Sequence, residues 1–276
     1  MKRTTLEQFR EELLATGAYE TPPERCAEKV RKPGLMTRLG MSWSILGVFV
    51  HCGLREHFGL LDTDKWAHFC FRAQQKAEGY GTKFHLEGWD NRKAYDGPVV
   101  YLSNHMSSLE TILLPYVLLS YGPFCTVVKQ SLSHIPGVTK AAAHMGLIPI
   151  GRANPREDLM TVFNVGGERI KQGNSMLIFA QGTRVPVFAR KGWSSIGTKL
   201  AEKAGVPVVP IAVKTDMQPT RPEAKGLAKD FGPVDPSKDV RLACGPVLTG
   251  SSREMLQSSF DWIATKLESW GMPTER

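Results

Sequence analysis

A histidine and a glutamate stand five residues apart in the segment Asn104-His105-Met106-Ser107-Ser108-Leu109-Glu110. On a continuous helix this spacing gives about 140° of rotation, so the two side chains would lie on different faces. They can meet only if His105 lies in a turn and Glu110 in the first turn of the helix that follows. A carboxylate bonded to one imidazole nitrogen fixes the tautomer and leaves the other nitrogen free as a general base.

The same segment has a simpler interpretation as a helix start. Ser107-x-x-Glu110 fits a capping box, in which serine and glutamate satisfy the first backbone amides of a helix. His105 would then be a passive loop residue. Taken alone, the segment favours this simpler interpretation, and the case for a base depends on the polar groups that the fold brings beside it.

Two arginines follow strands that the sequence predicts to be buried. Arg152 comes after Leu147–Ile150, and Arg184 comes after Met176–Phe179. The carboxyl ends of parallel strands meet at one edge of an α/β sheet, where ligands usually bind. Two guanidinium groups beside the histidine turn would therefore form a phosphate pocket, since arginine suits paired contacts with phosphate oxygens. Either arginine alone is more often a solvated loop charge.

Several common catalytic classes lack their usual support in this chain. No GxSxG, P-loop, HExxH or GxGxxG pattern occurs, which argues against serine hydrolases, P-loop NTPases, zinc proteases and dinucleotide enzymes. Five cysteines without a CxxC pair indicate neither a disulfide framework nor a zinc knuckle. Reduced thiols are typical of a protein that faces the cytosol. The first 17 residues lack the apolar run of a secretory signal.

Four segments, in this order, resemble the four sequence blocks of the glycerolipid acyltransferase family, which includes bacterial 1-acylglycerol-3-phosphate acyltransferases. The segments are NHMSSLE at 104–110, GLIPIGR at 146–152, FAQGTR at 179–184 and VPVVPI at 206–211. Lys191-Gly192 also matches the FKxG of the family. The resemblance covers roughly residues 80 to 250, and four blocks in register carry far more weight than any one of them.

The resemblance implies direct acyl transfer from acyl-CoA or acyl carrier protein to the free hydroxyl of a lysophospholipid, without a covalent acyl-enzyme. In that reaction His105 is the general base, and Glu110 orients it and stabilises its cation. The substrate-binding positions that the resemblance implies are Asn104, Ser107, Lys129, Arg152, Gln181, Gly182, Thr183 and Arg184. Arg152 and Arg184 would bind the phosphate of the acceptor. No metal or redox cofactor is expected.

Two positions depart from the pattern of the family. Glu110 replaces an aspartate, which adds one methylene and keeps the charge, so its role is expected to survive. Gln181 replaces the glutamate of the third block, and its amide can bond a glycerol hydroxyl but carries no charge. The second change leaves open a different lyso-lipid acceptor or a non-catalytic lipid-binding homologue. The intact His105 and the two arginines argue for catalysis.

Alternating strand and helix patterns predict an α/β fold, with a mostly parallel central sheet flanked by helices. Strands are predicted at 84–86, 98–102, 124–128, 147–150, 176–179, 208–213 and 240–244. After the histidine turn, helices are predicted at 156–172, 194–204 and 254–270, and within the uncharged stretch 111–128 ahead of its strand. Residues 81–276 are expected to be the acyltransferase domain.

Residues 1–80 are expected to be an N-terminal helical region that docks on a membrane. The sixteen residues from Leu39 to Leu54 carry no formal charge, and a membrane span needs about 20 apolar residues. This segment and a second helix near Asp64–Glu78 predict a hairpin. The first helix can be half-buried at a membrane interface or belong to the core. The resemblance adds a bilayer-resident acceptor, so we expect a peripheral or monotopic protein on the cytoplasmic face of a membrane.

The chain is basic and otherwise ordinary in composition. Lys and Arg number 35 against 27 Asp and Glu, for a net charge of +8, and 42% of the 276 residues are hydrophobic. This composition excludes disordered, collagen-like and coiled-coil proteins. Ten basic and three acidic residues lie between Thr111 and Ala201, so most of the excess accompanies the second and third blocks. Lipid phosphate is therefore favoured over nucleic acid, for which no recognisable module is present.

Overall fold

Within the part of the chain that the structure describes, the main sheet has eight strands. The computed structural model describes residues 5–130, 146–151, 154–221, 223 and 232–276. The strands are β1 (Tyr19–Glu20), β2 (Phe84–Glu87), β3 (Val100–Ser103), β4 (Phe124–Lys129), β5 (Leu147–Ile150), β6 (Ser175–Phe179), β7 (Phe188–Ala189), β8 (Val208–Lys214), β9 (Val240–Cys244) and β10 (Thr274–Glu275). The main sheet has the order β1-β2-β9-β8-β3-β6-β4-β5, and β7 pairs with β10 separately.

Most neighbouring strands of the main sheet are parallel. β8, β3, β6, β4 and β5 all run in one direction, whereas β9 is antiparallel to β8 and β1 is antiparallel to β2. Every residue of β3 is buried, as is typical of a central strand covered on both faces. The carboxyl ends of these five parallel strands form one edge of the sheet, which we call the site edge. The predicted fold class is confirmed.

Helices cover both faces of the sheet. They are α1 (Leu6–Thr16), α2 (Leu35–His57), α3 (Thr63–Glu78), α4 (Glu110–Leu118), α5 (Pro155–Thr161), α6 (Gly167–Lys171), α7 (Ile196–Ala204) and α8 (Ser252–Ser269). A π-helical segment, Val162–Gly166, joins α5 to α6, and a 3₁₀ helix spans Trp89–Ala94. On one face, side chains of α1 to α4 pack together with the sheet, and on the other face α7 and α8 do so.

The N-terminal helices share an apolar core with the rest of the chain. The ring of Phe9 in α1 lies 5.2 Å from Phe71 in α3 and 5.3 Å from Tyr116 in α4. Tyr19 of β1 donates a 2.7 Å hydrogen bond to the buried Glu78 at the end of α3. β1 also pairs with β2 in the main sheet. The boundary expected after residue 80 stays a prediction, and the packing across it is continuous.

The uncharged segment forms most of α2, which is half-buried. Its buried side chains recur at helical spacing, at Thr37, Met41, Ile45, Val48 and Cys52. The opposite face is apolar and exposed, with Trp43 at 74%, Leu54 at 56% and Leu39 at 52% of their full surface. Length and composition alone would let α2 cross a membrane, a test that the core helices of soluble proteins also pass. One face of α2 therefore belongs to the core while the other face is exposed, and interfacial docking of that face stays a prediction.

Candidate active site

The turn after β3 is fixed to the neighbouring strand β8 by a buried asparagine. The side-chain amide of Asn104 donates to the carbonyl oxygen of Val213 at 2.9 Å, and its side-chain oxygen accepts from the Val213 N–H at 2.8 Å. Asn104 itself is 1% exposed. This pair of bonds reproduces a backbone-like contact where β3 ends, so Asn104 holds the turn. Its role in substrate binding stays a prediction.

The carboxylate of Glu110 is fully buried and accepts five hydrogen bonds from residues that the structure describes. Oε1 accepts from His105 Nδ1 at 2.9 Å, from the Met106 N–H at 2.6 Å and from the Ser107 N–H at 2.7 Å. Oε2 accepts from Ser107 Oγ at 2.7 Å and from Thr215 Oγ1 at 2.6 Å. Glu110 is the first residue of α4 and His105 lies in the preceding turn, the arrangement that their spacing requires.

This environment keeps the carboxylate charged despite its burial. Burial alone would raise the pKa of Glu110. The hydrogen bond and positive charge of His105, with the bonds from Thr215 and Ser107, outweigh that effect and hold the pKa of Glu110 below its ordinary value. Glu110 can therefore stabilise a positive charge on the imidazole.

The imidazole of His105 is held in one orientation. Its side chain is 14% exposed, and its ring stacks on Phe179 at the end of β6, with centroids 4.2 Å apart. Because Nδ1 donates to Glu110, Nε2 is the basic nitrogen of the neutral ring. The geometry thus suits a general base, while the catalytic roles of His105 and Glu110 stay predictions.

Capping and orientation are combined in the same carboxylate. Glu110 accepts the Ser107 N–H, one of the two bonds of a capping box, although α4 begins only at Glu110 and its N-cap residue Leu109 makes no side-chain capping bond. The other half differs, since Ser107 Oγ accepts from the Leu109 N–H at 3.0 Å. Ser107 is fully buried and shapes this turn, and its role in substrate binding stays a prediction. The two interpretations of the segment are therefore compatible.

The third block is joined to the histidine turn by two hydrogen bonds. Oε1 of Gln181 accepts the His105 N–H at 2.8 Å. The Val185 N–H donates to the His105 carbonyl oxygen at 3.0 Å. A glutamate at position 181 would offer an equivalent acceptor oxygen, so the replacement of the family's glutamate by Gln181 preserves this contact. The loss of negative charge at position 181 still leaves the choice of lyso-lipid acceptor open.

Arg184 lies beside the histidine turn, as its position after β6 predicts. Its Nη1 donates to Ser108 Oγ at 2.6 Å, and the side chain is partly buried. Gly182 has a φ of 65°, a left-handed conformation that suits glycine, and the neighbouring Thr183 is exposed. The loop therefore brings the guanidinium group of Arg184 beside the turn that contains His105.

The remaining predicted cations lie farther along the site edge or outside the described residues. Lys129 ends β4, is exposed, and pairs in register with Ile150 of β5. Because β6 lies between β4 and β3, the backbone of Lys129 lies about 10 Å from β3, the strand that precedes His105. Arg152 lies outside the described residues. Of the two arginines predicted to form a phosphate pocket, Arg184 is the one that lies within the described residues.

Two contributors to the site were missed from the sequence. Phe179 supplies the ring beneath His105, and Thr215 bonds Glu110. Thr215 directly follows β8, a parallel neighbour of β3, so strand order would have placed it at the site edge. Among the described residues, no three His, Cys, Asp or Glu side chains are arranged to hold a metal ion.

Known proteins identify the family of the segment that carries this site. A family model described as Acyltransferase matches residues 83–214. The 1-acyl-sn-glycerol-3-phosphate acyltransferase of Pseudomonas aeruginosa is 36% identical over 132 residues, which are 48% of this chain and 49% of that protein. Residues 83–214 thus match the acyltransferase family. This acyltransferase segment contains His105, Glu110 and Arg184.

The acyltransferase segment also resembles plant proteins, and the fold extends beyond it. The chloroplastic 1-acyl-sn-glycerol-3-phosphate acyltransferase of Arabidopsis thaliana is 34% identical over 132 residues, 48% of this chain and 36% of that protein. The match thus spans about half the length of these relatives or less. The crystal structure of a 1-acyl-sn-glycerophosphate acyltransferase from Thermotoga maritima has a TM-score of 0.62, at 18% identity, and covers 86% of this chain and 95% of that one. That likeness supports the fold alone.

Proposed function

We propose that this protein is a glycerolipid O-acyltransferase. It would move a fatty acyl group from acyl-CoA or acyl carrier protein to the free hydroxyl of a lysophospholipid that resembles 1-acylglycerol 3-phosphate. The observation that carries the proposal is the 2.9 Å contact between His105 Nδ1 and Glu110 Oε1, within a segment of the acyltransferase family. The relatives named above are 1-acyl-sn-glycerol-3-phosphate acyltransferases, which favours a phosphate-bearing acceptor.

The proposed reaction is a direct transfer between the two substrates. Nε2 of His105 removes the proton from the acceptor hydroxyl as its oxygen attacks the thioester carbonyl carbon. The tetrahedral intermediate then collapses, the carbon–sulfur bond breaks, and the imidazolium returns the proton to the leaving thiolate. Glu110 stabilises the imidazolium between these steps, because its carboxylate stays charged within hydrogen-bond distance of Nδ1. No step of this route calls for a metal or a redox cofactor.

Arg184 is proposed to bind the acceptor phosphate. The guanidinium group is charged at every physiological pH and matches the geometry of phosphate oxygens. The guanidinium group of Arg184 contacts Ser108, which lies three residues after His105 in the same turn. A phosphate held there would direct the glycerol hydroxyls of the acceptor toward the base.

The exposed face of α2 is proposed to rest in a membrane interface. Leu39, Trp43 and Leu54 present a continuous apolar face, and the exposed Arg55 lies at its end. Tryptophan and basic residues at the edge of an apolar helix face are typical of interfacial binding. All five cysteines are unpaired, which suits the cytoplasmic side of that membrane.

A thioester-release assay tests the proposed activity. Both acyl-CoA and acyl-carrier-protein donors are offered with a panel of lysolipids, using the wild type, His105→Ala and His68→Ala. His68 is an exposed histidine on α3 and serves as the matched control. We expect turnover with a phosphate-bearing lysolipid, a loss of about 100-fold or more in His105→Ala, and normal turnover in His68→Ala. A wild type without turnover on any acceptor would instead favour a non-catalytic lipid-binding homologue.

A further inference from the structure

Thr215 is a buried hydroxyl at the site edge that the proposed reaction does not yet use. It follows the last residue of β8 and is fully buried. Its Oγ1 donates to Glu110 Oε2 at 2.6 Å and lies 2.9 Å from Ser107 Oγ. Thr215 comes 105 residues after Glu110 in the chain, so only the order of the strands brings the two together.

Thr215 differs in origin from the other donors to the carboxylate. The four other bonds come from His105, Met106 and Ser107, which belong to the same turn as Glu110. Asn104 fixes the start of this turn to β8, but its bonds do not reach the carboxylate itself. The bond from Thr215 ties Oε2 to the neighbouring strand and so fixes the carboxylate relative to the sheet.

The side chain of glutamate suits this partner. An aspartate at position 110 would carry its carboxylate about 1.5 Å closer to the backbone, the length of one carbon–carbon bond. Both oxygens of Glu110 are used at once, with Oε1 toward His105 and Oε2 toward Thr215. A shorter side chain in the same backbone cannot keep both contacts at these distances. The bond from Thr215 therefore depends on the longer side chain of glutamate, which stands at position 110 where the family has an aspartate.

We propose that Thr215 is a positioning residue, which holds the Glu110 carboxylate against the sheet so that the carboxylate holds the His105 ring. The chain of contacts is Thr215 Oγ1 to Glu110 Oε2, and Glu110 Oε1 to His105 Nδ1. The inference rests on the proposed function, in which His105 is the base. A residue that merely packs would contribute to stability and leave the chemistry of His105 unchanged.

Thr215→Val and Thr215→Ser separate the hydroxyl from the packing of the side chain. Valine keeps the shape and removes the donor, whereas serine keeps the donor. Thr82→Val is the matched control, since Thr82 is also fully buried and its hydroxyl bonds the Pro236 carbonyl, away from His105. We expect Thr215→Val to lower kcat about 10- to 100-fold, the effect of losing one bond to a charged group, with both KM values within about twofold. Thr215→Ser should stay within about threefold of the wild type, and Thr82→Val should match it.

The pH dependence supplies a readout that packing alone would not move. Hydrogen bonds lower the pKa of Glu110 in the folded protein. Removing the Thr215 donor lets that pKa rise, so the carboxylate takes up its proton at a higher pH. The midpoint for protonation of the Glu110 carboxylate, followed by its infrared carbonyl band in the intact protein, should therefore shift to higher pH in Thr215→Val and not in Thr215→Ser. A Thr215→Val enzyme with wild-type kcat and an unshifted midpoint would overturn the proposal, as would equal losses of kcat in both variants.

The Glu110→Asp background tests the dependence on glutamate. Residues that act through one contact give non-additive effects. If Thr215 acts through the longer side chain, Thr215→Val should change kcat by less than about twofold in Glu110→Asp. A full 10- to 100-fold loss in that background would contradict the assigned path.

A spectroscopic readout keeps the inference separate from the proposed activity. The Nδ1–H proton of His105, held by Glu110, is observable by nuclear magnetic resonance in the intact protein without any substrate. We expect its resonance to move or disappear in Thr215→Val and to persist in Thr215→Ser and Thr82→Val. If the wild type proves inactive, this result alone decides the positioning role, and an unchanged resonance in Thr215→Val would refute it.

Discussion

Glu110 shows how a single carboxylate can bond both the start of a helix and the proposed base at the same time. Its Oε1 satisfies the N–H groups of Met106 and Ser107 and also orients His105. Removing the whole side chain would leave these buried donors without an acceptor, which disturbs the turn itself. A test of the charge must therefore keep the shape.

Glu110→Gln is the substitution that removes charge and keeps shape. The amide oxygen can take the place of Oε1, while the hydroxyls of Ser107 and Thr215 can turn to accept from the amide nitrogen. We expect kcat to fall by about 100-fold or more, because the imidazolium loses its counter-charge, with little change in Tm. Steady-state kinetics and thermal unfolding measure the two effects.

A matched control for that change exists at the start of α8. Glu254 completes an exposed capping box with Ser251, at 2.7 Å between Ser251 Oγ and Glu254 Oε2. Glu254→Gln makes the same chemical change at a site where capping is the whole role, and turnover should stay normal. Near-normal turnover of Glu110→Gln as well would reduce Glu110 to a capping residue.

Arg184→Ala tests the phosphate site. We expect the KM for the lysolipid to rise by about tenfold or more, the effect of losing a charge-assisted contact, and the KM for the acyl donor to change much less. Initial rates at varied concentrations of each substrate measure both values. Arg253→Ala, an exposed arginine on α8, is the control. The reverse pattern of KM changes would move the phosphate contact to the donor.

The sequence could predict the pairing of His105 with Glu110, because their spacing allows only a turn followed by a helix start. It could not predict that Gln181 accepts from the His105 N–H or that Thr215 bonds Glu110. Those contacts join loops from three neighbouring strands. Which strands are neighbours depends on packing across the whole sheet rather than on local spacing.

At the scale of elements, α2 shows that a hydrophobic pattern can predict a helix but not which of its faces is buried. The absence of charge from 39 to 54 predicted an apolar helix, and the structure has a helix from Leu35 to His57. The pattern left open which face is covered, since nearly every position is apolar. Contacts with α3 decide this, and they leave Trp43 exposed.

The exposed face of α2 yields a test of membrane association. Trp43→Gln should weaken sedimentation with anionic phospholipid vesicles several-fold, because burying an aromatic side chain in an apolar interface is favourable. Its Tm should stay near that of the wild type, since Trp43 is 74% exposed. Met160→Gln changes an equally apolar exposed residue on α5 and should sediment normally. Equal sedimentation of all three proteins would argue against docking through α2.

Long elements were predictable and the shortest ones were not. The strands β2, β3, β4, β5, β6, β8 and β9 lie within a few residues of their predicted bounds. The two-residue strands β1, β7 and β10 are too short to show a periodic pattern. The π-helical segment at 162–166 also lies inside what the sequence presents as one helix.

At the scale of the molecule, the N-terminal helices and the sheet behave as one packing unit. Deleting residues 1–80 would uncover Tyr116 and other side chains of α4 that Phe9 and Phe71 now cover. We expect the shortened chain to lose cooperative unfolding, as measured by circular dichroism on heating. We also expect it to be less soluble, as measured by the protein left in solution after centrifugation. A shortened chain that unfolds cooperatively near the wild-type Tm would show instead that residues 81–276 fold alone.

The two bonds that join the histidine turn to the third block have a consequence for protein engineering. The His105 N–H reaches Gln181, and the Val185 N–H returns to the His105 carbonyl. A chimaera that exchanges the 179–185 loop for that of another enzyme would also disturb the backbone of the histidine turn. An exchange of this loop between relatives should therefore move the loop and the turn together as one cassette.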